Sequence, residues 1–221
     1  MRTVNVTNVG MYIVCIEGID GCGKDTQLDL LKKEGFNTTT EPVYGTPTGD
    51  FIRKVLHGEI EFKSKSALEY LMLADRSEHI AQIIDHVNSH NSIKEKLMIT
   101  GRYKYSGLAY SEDQKISFYM NKKMPDAGLF IFLDIKPDAA IKRIQKRDQI
   151  DIYENMQKLT VVYDNFHQMI RDSEVLDGFR DDNGAAPEVV IINADQTPED
   201  IHNQIMKAIN DYVQRVFGRT L

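Results

Sequence analysis

Short apolar runs of strand length alternate along this chain with longer stretches of helical period, and that alternation predicts a mostly parallel sheet covered by helices. The first run, residues 11–16 (MYIVCI), is continuous and β-rich, as a strand buried on both faces should be, and it leads into a glycine cluster. Residues 24–34 (KDTQLDLLKKE) turn Leu28, Leu30 and Leu31 toward a core and predict the first helix, which Gly35 can end. Residues 36–40 read as a β-branched second strand, and the loop EPVYGTPTGD, broken by Pro42, Gly45, Pro47 and Gly49, precedes a short helix over 50–57. From 64 to about 90 the apolar positions Leu68, Leu71, Met72, Ile80, Ile83, Ile84 and Val87 keep helical period, giving one long helix that is a candidate wall of a site. A third strand over 97–100, a helix over 107–121 and a fourth strand over 129–134 follow. Pro137 then opens a helix over 138–147. A second long helix over 152–176, a surface loop over 178–187 and a fifth strand over 189–193 complete the alternation. The closing helix over 197–217 has Asp195 or Thr197 to cap it. With no internal repeat and no linker, residues 1–221 are expected to form a single domain.

Composition narrows the function without naming it. The length of 221 residues, 42% hydrophobic and 27% charged, suits one globular α/β domain able to bury a core. A formal net charge of -6 leaves no broad basic field for a nucleic-acid backbone, so a polynucleotide partner is not expected. Cys15 and Cys22 have neither CxxC spacing nor histidine neighbours, which disfavours a disulfide scaffold or a zinc site and points to a reducing compartment. The run 11–16 is too short for a signal peptide, and no stretch reaches the roughly 20 apolar residues of a membrane span. A cytoplasmic protein is the expectation.

The glycine cluster carries the chemistry. Gly18-Ile-Asp-Gly-Cys-Gly-Lys24 fits the GxxxxGK core of a phosphate-binding loop, directly after a buried strand and directly before a helix. Glycines let backbone N–H groups turn inward around an anion, the helix N-terminus adds partial positive charge, and Lys24 supplies a mobile cation. Gly18, Ile19, Asp20, Gly21, Cys22, Gly23, Lys24, Asp25 and Thr26 are therefore the candidate ATP-binding residues. The fold they imply is the three-layer P-loop NTPase architecture, a five-stranded, mostly parallel sheet flanked by helices. Asp25 stands where a Ser or Thr hydroxyl ordinarily meets Mg²⁺. It either helps hold that ion or is a first-turn acid favoured by the helix dipole. A GTPase would carry NKxD, and the nearest string, Asn121-Lys-Lys-Met124, lacks the acid.

Several segments together resemble one family, the thymidylate kinases, from about residue 11 to the end. Cys15-Ile-Glu-Gly-Ile-Asp-Gly-Cys-Gly-Lys-Asp-Thr-Gln27 resembles the family's FEGIDGxGKxTQ, and Thr40-Glu41-Pro42 its EP segment. Leu71-Met-Leu-Ala-Asp-Arg76 resembles LLFxAxR, with Met72 in place of the aromatic. Thr100-Gly-Arg-Tyr103 with Ser106-Gly-Leu-Ala-Tyr110 resembles DRYxxSxxAY, with Gly101 in place of the acid. Met124-Pro-Asp126 through Pro137-Asp138 resembles PDLxxxLDxxPE.

The resemblance implies ATP and Mg²⁺ as cofactors and transfer of a phosphoryl group to a deoxynucleoside monophosphate, most simply dTMP. It places Asp20 near the sugar 3′-hydroxyl, Glu41, Tyr44 and Tyr153 near the acceptor, Met72 and Arg76 at the base, and Tyr110 against a ribose 2′-hydroxyl. Arg102 would clamp the acceptor phosphate. Because Gly21 stands where some relatives carry an arginine, the transition-state cation would come from a lid over about 143–154, with Arg143 and Arg147 as candidates. The carboxylate near the metal would have moved from strand end, Gly101, to loop, Asp25. A small-molecule nucleotide partner and a homodimer are implied, with no membrane association. Two alternatives stand beside this reading: a kinase for another nucleoside monophosphate, which Met72 favours, and a nucleotide-binding protein without turnover, against which Lys24 and Arg102 argue.

Overall fold

The computed structural model describes residues 3–5, 8–145, 154–172 and 186–221. Its centre is a five-stranded sheet in the order β2-β3-β1-β4-β5, formed by β1 (Ile13–Glu17), β2 (Asn37–Thr40), β3 (Met98–Gly101), β4 (Leu129–Asp134) and β5 (Glu188–Asn193). Every neighbouring pair runs parallel, so the sheet is wholly rather than mostly parallel. The unbroken apolar runs of β1 and β4 have their physical reason here. Both strands lie inside the sheet with helices above and below, and β1 is buried along its whole length. Edge strand β2, by contrast, is only half-buried and is written in asparagine and threonine.

Nine helices follow among the described residues: α1 (Lys24–Lys33), α2 (Pro47–Leu56), α3 (Lys65–Ser89), α4 (Ile93–Lys96), α5 (Lys104–Tyr110), α6 (Gln114–Asn121), α7 (Pro137–Ile144), α8 (Met156–Arg171) and α9 (Pro198–Phe217). Helices α1 and α9 pack together, and Gln27 of α1 donates to the Pro198 carbonyl at 2.9 Å. Helix α5 lies between α3 and α8, and α8 also meets α7. The Thr197 hydroxyl accepts from the Asp200 N–H at 3.2 Å, capping α9 at the expected residue.

Two elements differ from expectation. The single helix expected over 107–121 is two, α5 and α6, because Ser111 turns extended and Asp113 caps a new start, its carboxylate accepting from the Ile116 N–H at 3.0 Å. Helix α5 also begins earlier, at Lys104, for a reason given below. The second long helix starts later than expected because Asn155 caps it by accepting from the Lys158 N–H at 3.0 Å, and it stops at Arg171, where Asp172 turns extended.

In this strand order the connections leaving β1 and β3 run to opposite sides of the sheet, so the loops at their carboxyl ends lie side by side. Ligands of such sheets bind at that switch point. Ile16 is paired with Gly101, and the Arg102 N–H donates to the Ile16 carbonyl at 3.1 Å, so the two loops leave the sheet together.

Candidate active site

The loop after β1 is shaped by its glycines. Gly21 has φ +83°, and a Cβ placed on it would lie 2.6 Å from the Ala140 carbonyl oxygen on α7, so no side chain fits there without moving that helix. Gly23, also left-handed, precedes α1 and makes no side-chain cap, so the first N–H groups of α1 are not engaged by a capping side chain. Ile19 and Cys22 are buried beneath the loop, whereas Asp20, Gly21, Gly23, Lys24 and Asp25 face a cavity. The Lys24 ammonium donates to the Gly18 carbonyl at 2.7 Å and the Ile19 carbonyl at 3.0 Å, and lies 3.3 Å from Cys22 Sγ. A buried ammonium needs such partners, and these hold it over the loop.

The loop after β3 supplies the second cation. Arg102 takes the left-handed region at φ +69°, uncommon for a residue with a side chain, and its guanidinium bonds the Asp20 carboxylate. Asp20 Oδ2 also accepts from the Tyr110 hydroxyl at 2.8 Å, and Arg102 lies 4.9 Å from the centre of the Tyr110 ring. Burial opposes the charge on Arg102, but Asp20 and Tyr110 outweigh it and push its pKa further above its ordinary range. Burial drives the Tyr110 hydroxyl upward, so it stays a donor.

Glu17, the last residue of β1, supports this turn. Its fully buried carboxylate accepts from the Tyr103 N–H at 2.7 Å and the Ser106 N–H at 3.1 Å, and from the Ser106 hydroxyl at 2.5 Å. Glu17 therefore caps α5 from another strand, which explains why that helix starts at Lys104. Burial raises its pKa, partly offset by the Ser106 hydrogen bond and by Arg102 and Lys24.

Both loops open into one cavity of about 310 Å³. Its far wall comes from α2, α3 and α6. Met72, Leu68 and Leu56 give it apolar surface, and Arg76, Ser117 and Asn121 give it polar groups. Arg76 is buried, and its guanidinium donates to Glu41 Oε2 at 2.7 Å, to Asn121 Oδ1 at 2.5 Å and to the Tyr103 carbonyl at 3.3 Å. Glu41 is equally buried, and its other oxygen meets His79 Nδ1 at 3.1 Å. Burial alone would raise the Glu41 pKa, but Arg76 and His79 reverse this and hold it below its ordinary value. Asp75 anchors the loop above the cavity, accepting from the Val43 N–H at 2.9 Å and the Thr48 hydroxyl at 2.9 Å. Tyr44 is exposed, with the Arg53 guanidinium 3.3 Å from its ring centre.

The structure thus gathers Asp20, Lys24, Asp25, Glu41, Tyr44, Met72, Arg76, Arg102 and Tyr110 around one cavity. Arg143 is not on its wall; it donates to the Ala194 carbonyl at 3.0 Å and lies 3.8 Å from Asp195, beyond the end of β5. Arg147 and Tyr153 lie outside the described residues. Thr26 is exposed on α1 and away from the cavity. Gly101 leaves a space that Leu28 fills: a Cβ there would lie 2.6 Å from Leu28 Cδ1. Sequence reasoning passed over Glu17, Asp75, His79, Asn121 and Glu154, of which Asn121 and Glu154 face the cavity directly. The spacing of 72, 75, 76 and 79 on one helical stripe was the available signal for two of them.

Among the described residues no three His, Cys, Asp or Glu side chains are grouped to hold a metal by themselves. Asp25, exposed at the first turn of α1 and on the cavity wall with Asp20, suits Mg²⁺, which keeps water and takes one or two carboxylates beside phosphate oxygens. No helix among these residues is long and apolar enough to cross a membrane.

Comparison with known proteins agrees with this arrangement. A family profile described as thymidylate kinase matches residues 16–205. A protein of Methanococcus aeolicus named probable thymidylate kinase is 34% identical over 207 residues, covering 90% of this chain and 95% of its own. One of Methanosphaera stadtmanae with the same name is 31% identical over 214 residues, covering 89% and 98%. The solved thymidylate kinase of Candida albicans superposes with a TM-score of 0.69 at 21% identity, over 90% of this chain and 91% of its own, a likeness of fold.

Proposed function

The chain belongs to the thymidylate kinase family, and on that premise we propose that it transfers the γ-phosphoryl group of ATP to the 5′-phosphate of dTMP, yielding dTDP and ADP. The observation that carries the proposal is the convergence on one cavity of the phosphate loop, the Arg102 clamp and a wall of apolar and hydrogen-bonding side chains sized for a base.

An oxygen of the acceptor phosphate attacks the γ-phosphorus in line. The new P–O bond forms as the bond to the β–γ bridging oxygen breaks, and that oxygen leaves with ADP. The attacking oxygen is already anionic at neutral pH, so no side chain removes a proton. Lys24 exchanges its loop carbonyls for phosphate oxygens. Arg102 offers parallel N–H donors to the acceptor phosphate, a geometry only a guanidinium provides. Asp20 and Tyr110, bonded to each other, face the sugar. Met72 covers one face of the base, and Arg76 approaches its edge from the position set by Glu41 and Asn121. Alignment and charge neutralisation supply the rate. Mg²⁺, held by Asp25 beside the phosphates, would neutralise charge on the transferring group. Of the two arginines expected in the lid, Arg147 is kept as the source of a further cation, whereas Arg143 is engaged with the Ala194 carbonyl away from the cavity. A cytoplasmic homodimer forming a single domain per chain completes the proposal.

Coupled ADP release with ATP, Mg²⁺ and a panel of nucleoside monophosphates tests it. The expected result is ADP release dependent on acceptor and fastest with dTMP. Release that is the same with and without any monophosphate would overturn it.

A further inference from the structure

Glu41 is a shared bracket. One carboxylate oxygen accepts from Arg76 Nε and the other meets His79 Nδ1, and all three side chains are at most 4% exposed. His79 Nε2 is buried with no hydrogen-bond partner. We propose that His79 is a positioning residue for acceptor binding: a neutral imidazole with its proton on Nδ1, it donates to Glu41 and through Glu41 fixes the guanidinium of Arg76 at the base end of the cavity. This role rests on Arg76 being a base contact of the acceptor.

The tautomer follows from the partners. Glu41 beside Arg76 is ionised and can only accept, so the proton of that hydrogen bond sits on His79 Nδ1. Nε2 then carries either a lone pair or an N–H. A buried N–H on a charged ring without an acceptor costs more than a buried lone pair on a neutral one, so the ring is neutral.

The coupling to Arg76 follows from geometry. The far end of Arg76 is held by Nη1 donating to Asn121 Oδ1 at 2.5 Å and Nη2 to the Tyr103 carbonyl at 3.3 Å, and its near end by Glu41. Its orientation depends on the Nε bond to Glu41, and Glu41 is held from the other side by His79. Residues 72, 76 and 79 share one stripe of α3, so the apolar cover, the edge contact and its brace come from consecutive turns of one rigid element.

Three substitutions test this, each measured for KM of dTMP, KM of ATP, kcat and thermal midpoint. The Asn side-chain nitrogen lies at the same remove from Cβ as imidazole Nδ1, whereas the Gln amide reaches the place of Nε2. His79→Asn should keep the dTMP KM within about twofold of the parent, and His79→Gln and His79→Leu should raise it about tenfold, the scale of one lost hydrogen bond to a charged group. ATP KM and kcat should stay within about twofold throughout. Equal dTMP KM in all three, or parallel rises in ATP KM, would overturn the role. Imidazole ¹⁵N shifts of the unaltered protein test the tautomer without any substitution: an N–H at Nδ1 with a bare Nε2 is expected, and an N–H at Nε2 overturns it. If the parent enzyme turns over no dTMP, the acceptor assignment has failed, while the tautomer measurement still decides the His79–Glu41 bond.

Discussion

Placing a methyl group on Gly101 probes why this strand end carries no acid. A Cβ there would lie 2.6 Å from Leu28 Cδ1 and 3.4 Å from Thr40 Oγ1. Favourable carbon–carbon contacts begin near 3.5 Å, so the Leu28 terminus must retreat by about 1 Å into a packed core. Overpacking of this kind costs about 1–3 kcal/mol. For a chain of this size, each kcal/mol lowers Tm by roughly 2–4 °C. Leu28→Ala alone removes a side chain that is 8% exposed and costs about 2–5 kcal/mol through the cavity it leaves. In the double variant the methyl group on residue 101 enters the space Leu28 vacated, so the combined loss should fall short of the sum by about 1–3 kcal/mol. Urea or thermal unfolding of the four proteins in a double-mutant cycle reads this directly. Additivity within about 0.5 kcal/mol would refute the steric reasoning. If the coupling is found, Gly101→Asp in the Leu28→Ala background becomes the fair test of whether a strand-end carboxylate can replace Asp25, since the leucine no longer blocks it.

Asp25→Ala should raise the Mg²⁺ concentration for half-maximal rate about tenfold or more if Asp25 helps hold the ion, and an unchanged Mg²⁺ titration would leave it as a helix-dipole acid only. Glu41 has a folded pKa below its ordinary value near 4.5, so the unfolded chain takes up the proton first. Stability from this group is present above about 4.5 and falls as pH drops toward the folded value; urea midpoints between pH 7 and pH 3.5 should decline less steeply in Glu41→Gln than in the parent. Glu17→Ala leaves the N–H groups of Tyr103 and Ser106 buried without their carboxylate and should cost at least about 2 kcal/mol in urea unfolding while weakening dTMP binding through Arg102; loss of stability with unchanged dTMP KM would separate the cap from the clamp.

Strands β1 and β4 were legible because full burial on both faces writes itself as unbroken apolar sequence, and the phosphate loop because its glycines answer a backbone requirement that few other patterns meet. The split between α5 and α6 was hidden because apolar period continues across it. What breaks the helix is local polar chemistry at Ser111 and Asp113, with Ser111 drawn to Glu69 of α3 at 2.7 Å. The role of Glu17 does not show in its motif, since its partners at Tyr103 and Ser106 lie far along the chain and only the pairing of β1 with β3 brings them close. Arg76 was expected to present itself to a base, and its placement on the wall follows the helical stripe. That most of its polar bonds go to Glu41, Asn121 and Tyr103 could not be read from spacing, because those partners come from three other segments.

Asp20 belongs to the phosphate loop, yet its carboxylate is spent on Arg102 and Tyr110, the residues the proposal assigns to the other substrate. The two halves of the reaction therefore share one electrostatic hinge-pin. Whatever free energy the binding of one nucleotide adds to the affinity for the other is matched in the reverse direction, because coupling between two binding events is reciprocal. The proposal assigns base choice elsewhere, to α3 and α6, which are joined by the Arg76–Asn121 hydrogen bond. The two ends are nonetheless joined, since Arg76 donates to the carbonyl of Tyr103, the residue that follows Arg102.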